Sequence, residues 1–530
     1  MLAIVLRFWQ LDQYPVGFHI DEASLGYNAY SLLKTARDEN GQFLPLHIDM
    51  FGDNRPAGYQ YLDILPIKIF GLNEFATRFP SALLGALTPV AIFLLLKAIF
   101  NKNLPALIAA GLLTISPWHL VISRASAETI VALFFIILGT AFYIRSNGIH
   151  RRQLFWATLF FAASLFFYHS SRIFVPLLVI VLSFLQRKRS YFPVLIIIFL
   201  SLFLVFGTGV GTSRFQQISI FHFPEIRLVL EEQLREDGAT KLPILLVRLF
   251  HNKVINYGLG YLKEYFSYFS LNFLFLEGGL PAWYRIPNMG LMYLIELPFL
   301  LIGTYLLIKN GFKNRLFWLP LIWLILGPTV AAITRDDVPN VQRSLVMLPA
   351  LITITSYGLW QCVVLAKHGL KLKTCCLLAS VLSLMFIWNF GYFLHQYFVH
   401  SRFHRPWYRF NGFKEMVLAV DKLALNYDKI LVSKTQGGTY MHFLFFQKID
   451  PRWYQDQGSP KDKDYGGFGK LIFLPQDCPQ YVFDNQGVKF LSVASGVCGE
   501  EPFTSQDALL IYREDGTVAF RIYPGEGKNE

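Results

Sequence analysis

Long apolar runs recur through the first 400 residues of the chain, and they restrict what the chain can fold into. An α-helix needs about 20 mostly apolar residues to cross the hydrocarbon core of a bilayer, and several of these runs approach or reach that length. Only 16% of the 530 residues are charged and 54% are hydrophobic, whereas a soluble domain carries about 25% charged residues. The sequence therefore predicts a polytopic α-helical membrane protein.

A short apolar run, Met1 to Leu11, precedes the predicted spans. It is too short to cross a bilayer and lacks the small-residue cleavage site of a signal peptide, so we interpret it as the outer end of a first span whose beginning is missing. With this segment the prediction is about 11 transmembrane helices. The ten further spans are predicted at 79–97, 104–122, 128–145, 153–170, 173–186, 191–210, 291–308, 316–334, 344–364 and 374–394.

Basic residues alternate along the predicted loops. Lys and Arg are enriched in cytoplasmic loops, and with these spans five basic clusters fall on one side, which is therefore predicted to be cytoplasmic. The clusters are Lys97/Lys102, Arg145/Arg151/Arg152, Arg187/Lys188/Arg189, Lys309/Lys313/Arg315 and Lys367/Lys371/Lys373. We interpret the formal net charge of +12 as a result of these basic loops, which face anionic lipid head groups. The sequence lacks the interleaved basic and aromatic residues that would indicate nucleic-acid binding.

The composition changes near residue 400. Residues 1–400 are predicted to form the transmembrane domain, with interfacial amphipathic helices in a first external loop, 12–78, and an external region at 211–290. In residues 401–530, short β-rich runs alternate with Gly, Pro and Asp turns, which predicts a small extracytoplasmic α/β domain. Two cysteines of this domain are predicted to form a disulfide, because that side of the membrane can be oxidising; they are Cys478 and Cys498.

Two adjacent carboxylates, Asp21 and Glu22, lie in the first external loop. Ionised groups near a membrane are costly and tend to mark function. External loops with carboxylates and arginines, attached to a body of many spans, suit a reaction on a lipid-phosphate substrate. Moving a sugar from a polyprenyl phosphate to a hydroxyl, for example, needs a base, cations that hold the leaving phosphate, and an apolar groove for the prenyl chain. We predict Asp21 as the base. The other candidate charges, all at external ends of spans, are Arg124, Arg172, Arg343 and Glu128.

Each candidate also has a plainer interpretation. Asp21 fits the N-cap of a helix that starts at Glu22, and the pattern alone does not decide between cap and base. Each arginine taken singly fits a side chain that extends to the lipid head groups, and Glu128 fits an acid in the first helical turn.

A non-enzymatic transporter or flippase of lipid-linked saccharides is the alternative function, and a polymerase or ligase of surface glycans is a third. Transporters tend to show charges near the bilayer midplane and broken helices in matching halves, and neither feature is visible here.

Three stretches carry a resemblance to a known superfamily. They read P-x-G-F-x-x-D-E-A from Pro15, N-E-F-A-T-R-F-P-S-A-L-L-G over Asn73–Gly85, and I-S-P-W-H-L-V-I-S-R-A-S-A-E over Ile115–Glu128. Met292–Gly303 and Arg343–Pro349 also fit. Over roughly residues 1–400 the chain resembles the C-type glycosyltransferase (GT-C) superfamily, in particular its bacterial protein O-mannosyltransferase-like branch, which is related to aminoarabinose transferases.

The resemblance implies an inverting transfer on the external face, from a polyprenyl-phosphate-linked sugar to a protein, lipid or glycan acceptor. It matches Asp21 to the essential first-loop acid, the presumed base, and Glu22 to its partner. It matches Arg124 to the arginine near the donor phosphate and Glu128 to the acidic position that follows, while Arg343 is a weaker match to a phosphate-contacting position. Metal use differs between branches of the superfamily, so a divalent ion held by Asp21 and Glu128 is left open.

Overall fold

The structure is a computed structural model, and it describes residues 1–186, 191–207, 219–222, 224–239, 243–369, 371–434, 437–478, 487–498 and 508–526. The chain separates into two compact units. We call the first the helical unit; it comprises Met1–Ile4, Leu84–Ile122 and Glu128–Phe393. We call the second the mixed unit; it comprises Val5–Leu83, Ser123–Ala127 and Leu394–Glu530. The predicted basic cluster Arg187/Lys188/Arg189 and parts of the regions 211–290 and 401–530 lie outside the described residues.

Helices make up most of the described chain. The first ten are Leu2–Phe8 (α1), Ile20–Thr35 (α2), Gly58–Phe70 (α3), Glu74–Phe100 (α4), Asn103–Ile115 (α5), Pro117–Ser123 (α6), Glu128–Ser146 (α7), Arg151–Leu165 (α8), Ser171–Leu185 (α9) and Phe192–Leu202 (α10). Later α-helices cover Pro224–Ala239, Ile244–Phe250, Lys253–Ser267, Leu297–Gly311, Leu319–Leu326, Thr329–Ala332, Leu348–Gly369, Leu372–His395, Ser401–Phe403, Phe413–Leu423, Thr439–Phe446 and Pro451–Asp456. Short 3₁₀ or π turns occupy Phe203–Gly207, Ile220–His222, Asn272–Leu276, Ala282–Tyr284, Leu294–Glu296, Arg315–Trp318, Leu345–Met347, Gln396–His400, Pro406–Arg409 and Ala424–Asn426.

Six helical stretches among the described residues are long and apolar enough to cross a membrane. They are Glu74–Phe100, Glu128–Ser146, Leu294–Gly311, Arg315–Ala332, Leu345–Gly369 and Leu372–Phe403. The pair α5 and α6, bent by 55°, adds a seventh if it counts as one span. The polytopic helical architecture is confirmed. In the described part of the chain, the number of helices that are long and apolar enough to span a membrane is lower than the predicted count of about 11. The reason is that α8, α9, α10 and α1 have only 15, 15, 11 and 7 residues.

Two helices of the helical unit approach each other closely through glycine. A Cβ atom on Gly303 would lie 2.1 Å from the carbonyl oxygen of Ile354, and one on Gly358 would lie 2.1 Å from that of Phe299. Small residues of this kind let helix backbones meet where lipid surrounds them. The contact therefore requires glycine at both positions.

The mixed unit contains the β-structure. A small antiparallel hairpin pairs His47–Met50 (β1) with Asp53–Pro56 (β2). A five-stranded sheet consists of Lys429–Ser433 (β3), Leu471–Leu474 (β4), Lys489–Ser495 (β5), Leu509–Tyr512 (β6) and Val518–Glu526 (β7). Its strand order is β4-β3-β5-β7-β6, with β4, β3 and β5 parallel and β5, β7 and β6 antiparallel. The predicted C-terminal α/β character is confirmed, and Cys478 and Cys498 form a disulfide.

One hydrophobic core joins α2 to the C-terminal elements of the mixed unit. Tyr27 of α2 is buried in the same cluster as Phe445 and Phe520. Gly26 faces that cluster, since a Cβ atom there would lie 2.7 Å from the Phe445 ring. Eleven of the sixteen residues of α2 are buried. This differs from the amphipathic surface helix expected for the segment, because the C-terminal elements cover the face that was expected to meet solvent.

Candidate functional site

The helix α2 begins directly after a turn that contains Gly17. Its N-cap is His19, whose Nδ1 accepts a hydrogen bond from the Asp21 amide at 3.2 Å. Glu22 completes a capping box, because its Oε2 accepts from the His19 amide at 3.3 Å. Asp21 therefore lies within the first helical turn, and the interpretation of Asp21 as the N-cap is wrong.

Glu22 is buried and has contacts on both carboxylate oxygens. Arg78 donates to it from Nε at 2.9 Å and from NH2 at 3.0 Å, and Ser126 donates its amide at 3.0 Å and its hydroxyl at 3.2 Å. Burial by itself raises the pKa of Glu22, but the Arg78 guanidinium and the Ser126 amide outweigh it and lower that pKa below its usual value. With both oxygens occupied, Glu22 is placed to fix the turn, and its predicted catalytic role stays a prediction.

Arg78, the partner of Glu22, comes from the first turns of α4 and is fully buried. Besides Glu22, its guanidinium donates to the carbonyl oxygens of Leu11 at 3.1 Å and Gly17 at 2.8 Å. A single side chain thus ties together three points of the N-terminal segment. The sequence offered Arg78 only as part of the motif Asn73–Gly85, without a role.

Asp21 points away from this buried network. Its side chain is 26% exposed, and Oδ2 lies 3.1 Å from NH1 of Arg55 and 3.8 Å from Nδ1 of His19. Arg55 lies on β2 and also pairs with Asp53, Nε to Oδ2, at 2.9 Å. Sequence reasoning missed Arg55, because only the folding of the hairpin brings it to Asp21. The positive φ angles of Phe51 and Gly52 mark that hairpin turn but do not indicate which residue it faces.

Arg124 lies in the short turn Ser123–Ala127 that also supplies Ser126. Its guanidinium is buried and donates to the carbonyl oxygens of Leu6 at 2.7 Å, Trp9 at 2.8 Å and Tyr14 at 3.2 Å. Within the described residues no carboxylate forms a salt bridge with it. Arg7 lies near enough to repel it electrostatically, so this part of the mixed unit holds buried positive charge.

The remaining predicted residues belong to the helical unit. Arg343 pairs with Asp336, NH2 to Oδ2, at 2.9 Å, and its NH1 donates to Thr334 Oγ1 at 2.9 Å. Arg343 also borders a small cavity. The polar residues around that cavity are Thr129, Tyr168, Ser170, Ser171 and Gln342. Arg172 and Glu128 do not border it.

Arg172 is buried and donates to the carbonyl oxygens of Leu165 at 3.1 Å and Leu204 at 3.2 Å. Glu128 is the buried first residue of α7, where the helix dipole favours a negative charge. The structure thus brings Asp21, Glu22 and Arg124 into the mixed unit, whereas Arg172, Arg343 and Glu128 lie in the helical unit.

The divalent ion left open at Asp21 and Glu128 stays a prediction. No group of three or more His, Cys, Asp or Glu side chains suited to a metal ion occurs in the part of the chain that the structure describes. The guanidinium of Arg55 lies 3.1 Å from Asp21 Oδ2, and a cation in that position disfavours a second cation beside the carboxylate. These surroundings do not fit a metal ion, so the chemistry derived below uses none.

The architecture of the chain is similar to that of a solved structure. The fold, apolar helices followed by a C-terminal sheet domain, is similar to that of ArnT from Cupriavidus metallidurans in the apo state. The TM-score between the two structures is 0.52, and the match covers 98% of this chain and 96% of that chain. At 11% identity this likeness shows the fold alone. Residues 1–184 match the family model for dolichyl-phosphate-mannose-protein mannosyltransferases. This match confirms the predicted resemblance to the mannosyltransferase-like branch over those residues.

Two weaker likenesses accompany these. An uncharacterized protein of Aquifex aeolicus (strain VF5) is 29% identical over 157 residues, and the match spans 29% of this chain and 30% of the relative. The archaeal oligosaccharyltransferase AglB from Archaeoglobus fulgidus, in complex with an inhibitory peptide and a dolichol-phosphate, has a TM-score of 0.47 at 11% identity over 89% of this chain and 63% of that chain. We draw no conclusion from either.

Proposed function

We propose that the protein is a membrane glycosyltransferase that moves a sugar from a polyprenyl-phosphate donor to an acceptor hydroxyl, with Asp21 as the base. The family match over residues 1–184 supports the reaction class. The observation that carries the assignment of the base is the contrast between two neighbours. Asp21 is partly open to solvent and faces one guanidinium, whereas Glu22 is buried and fully engaged.

The proposed chemistry is a single displacement. The acceptor oxygen attacks the anomeric carbon of the sugar, and the bond from that carbon to the phosphate oxygen breaks. The polyprenyl phosphate leaves with the electron pair, and the hydroxyl proton passes to the Asp21 carboxylate. One attack from the face opposite the leaving group inverts the anomeric configuration, which agrees with a single base.

Two arginines of the mixed unit are proposed to receive the phosphate. Arg55 is 21% exposed at its side chain and lies against the base, so it can bind an oxyanion while Asp21 meets the acceptor. Arg124 has acceptors only among backbone carbonyls in the contacts described above, so a phosphate dianion would offset its buried charge. Arg343 is a weaker proposal because Asp336 already pairs with its guanidinium. Arg172 is a weaker proposal because it does not belong to the unit that contains Asp21.

The side of the reaction and the acceptor class are part of the proposal. The positive-inside pattern supports an external position for the Asp21 loop and for the C-terminal domain. The acceptor is proposed to be a Ser or Thr hydroxyl of a protein, a lipid, or an envelope glycan.

The test compares Asp21→Asn with Asp49→Asn in membranes supplied with radiolabelled polyprenyl-phosphate sugars. Asp49 is the matched control, because it is a partly exposed acid of the same loop whose salt bridge is to Lys461. We expect transfer by Asp21→Asn to fall by about 10²–10⁴-fold and transfer by Asp49→Asn to stay near the wild-type rate. Wild-type transfer by Asp21→Asn would remove Asp21 from the mechanism. Movement of intact donor without release of polyprenyl phosphate would favour the transporter instead.

A further inference from the structure

C-terminal residues of the mixed unit enclose the turn that leads into α2. A Cβ atom on Gly17, whose φ is +82°, would lie 2.3 Å from the carbonyl oxygen of Arg409. The ring centroids of Phe18 and Phe445 are 4.7 Å apart, and those of His19 and Phe410 are 5.1 Å apart. These contacts are apolar or steric, so they restrict the space around the turn without fixing the direction of its peptide groups.

One C-terminal side chain makes a directional contact with the turn. His442, in the helix Thr439–Phe446, is fully buried, and its Nε2 lies 3.1 Å from the carbonyl oxygen of Phe18. Rings of Phe410, Phe413 and Phe446 pack around it. Its Nδ1 is buried with no hydrogen-bond partner among the described residues. Among the described residues, the polar contact of the imidazole is therefore to the turn.

The protonation state of His442 fixes which atom donates. Burial in this aromatic cage lowers the pKa of His442 to about 3, so the ring is neutral near pH 7 and carries one N–H. A carbonyl oxygen only accepts, so the proton lies on Nε2 and Nε2 donates to Phe18.

The peptide group between Phe18 and His19 is consequently held from both sides. Its carbonyl oxygen accepts from His442, and its N–H donates to Glu22 Oε2 at 3.3 Å. The same His19 is the N-cap of α2, and its Nδ1 binds the amide of Asp21. The orientation of this one peptide group therefore sets the cap and, through the cap, the position of the Asp21 backbone.

We infer that His442 is a positioning residue for the reaction. Through this side chain and the Phe18–His19 peptide group, the C-terminal domain sets the placement of Asp21. This inference rests on the proposed function, in which Asp21 is the base. Displacing a reacting group by about 1 Å costs on the order of 10²-fold in rate. Loss of the contact should therefore lower kcat while donor binding, and so the donor KM, stays nearly unchanged.

The test uses full-length His442→Leu, which removes the donor, and His442→Gln, whose side-chain amide restores an N–H near the position of Nε2. Backbone hydrogen exchange read by mass spectrometry reports the turn without any assay of activity, and transfer kinetics report catalysis. For His442→Leu we expect faster exchange confined to residues 17–22 and kcat lower by about 10- to 100-fold, with both effects largely reversed in His442→Gln.

Unchanged exchange at residues 17–22 in His442→Leu would overturn the inference. Faster exchange across β3, β5 and β7 in both variants would also overturn it, because His442 would then be only a packing residue. Faster local exchange with wild-type kcat would overturn the catalytic part of the inference. If Asp21→Asn were then also fully active, the failure would belong to the proposed function and not to the contact.

Discussion

At the scale of single residues, two adjacent carboxylates differ because a helix turns about 100° per residue. Glu22 points into the interior, where Arg78 and Ser126 hold it, and Asp21 points toward Arg55 and solvent. Sequence spacing predicts that two such neighbours diverge on a helix. It cannot say which one faces inward, because that depends on Arg78, which lies far along the chain.

The first prediction concerns Glu22→Gln. The pKa of Glu22 in the folded protein lies below its usual value of 4.5, so the ionised carboxylate stabilises the fold above that pH and the contribution is lost as the pH falls below it. We expect the variant to unfold at a lower temperature than wild type near pH 7, and the difference to shrink as the pH falls from about 5 to 3.

Thermal unfolding in detergent at a series of pH values measures this, with Glu231→Gln as the control. Glu231 forms an exposed pair with Arg227, and such pairs contribute little to stability. A gap between wild type and Glu22→Gln that stayed constant with pH would contradict the assignment of Glu22 as an ionised partner of Arg78.

At the scale of elements, the apolar runs predicted where helices of the helical unit lie, because a bilayer crossing needs a long apolar segment. The predicted span 104–122 is broken into α5 and α6 with a bend of 55°. Pro117 explains the break, since proline lacks an amide hydrogen and disfavours helical geometry in the preceding residue. The contact of Arg55 with Asp21 could not be predicted, because it depends on the folding of a hairpin that no long-range sequence pattern indicates.

The second prediction compares Gly26→Ala with Gly111→Ala. A Cβ atom on Gly26 would lie 2.4 Å from Thr77 Oγ1 and 2.7 Å from the Phe445 ring, so overpacking should destabilise the protein by about 1–3 kcal/mol. A Cβ atom on Gly111 of α5 meets nothing within 4 Å, so alanine there should be neutral or stabilising by about 0.5–1 kcal/mol. Thermal unfolding should show a lower midpoint for Gly26→Ala and an unchanged or higher midpoint for Gly111→Ala, and equal shifts would contradict the tight packing of α2.

At the scale of the whole molecule, composition and the positive-inside pattern predicted a multi-pass membrane protein with a C-terminal α/β domain, and both features are confirmed. The core that α2 shares with residues such as Val417, Phe443 and Ile522 was not predictable. The sequence predicts α2 as an interfacial helix and residues 401–530 as a separate small domain, and only the fold shows that they cover one another.

The third prediction follows from that shared core. Residues 401–530 expressed alone should remain largely unfolded or aggregate, because the apolar surface that α2 covers becomes exposed. Fusing residues 12–78 to the fragment through a flexible linker should improve its solubility and give cooperative thermal unfolding. A stable, soluble fragment without residues 12–78 would show that the C-terminal elements form an independent domain.

The contact between Phe18 and His442 also has a consequence for biosynthesis. Phe18 and His442 are 424 residues apart in the chain, so the ribosome makes the acidic turn long before the imidazole that holds it. A nascent polypeptide that is already inserted in the bilayer therefore lacks this contact until His442 has been translated, so chains terminated before that residue would insert without a fixed turn.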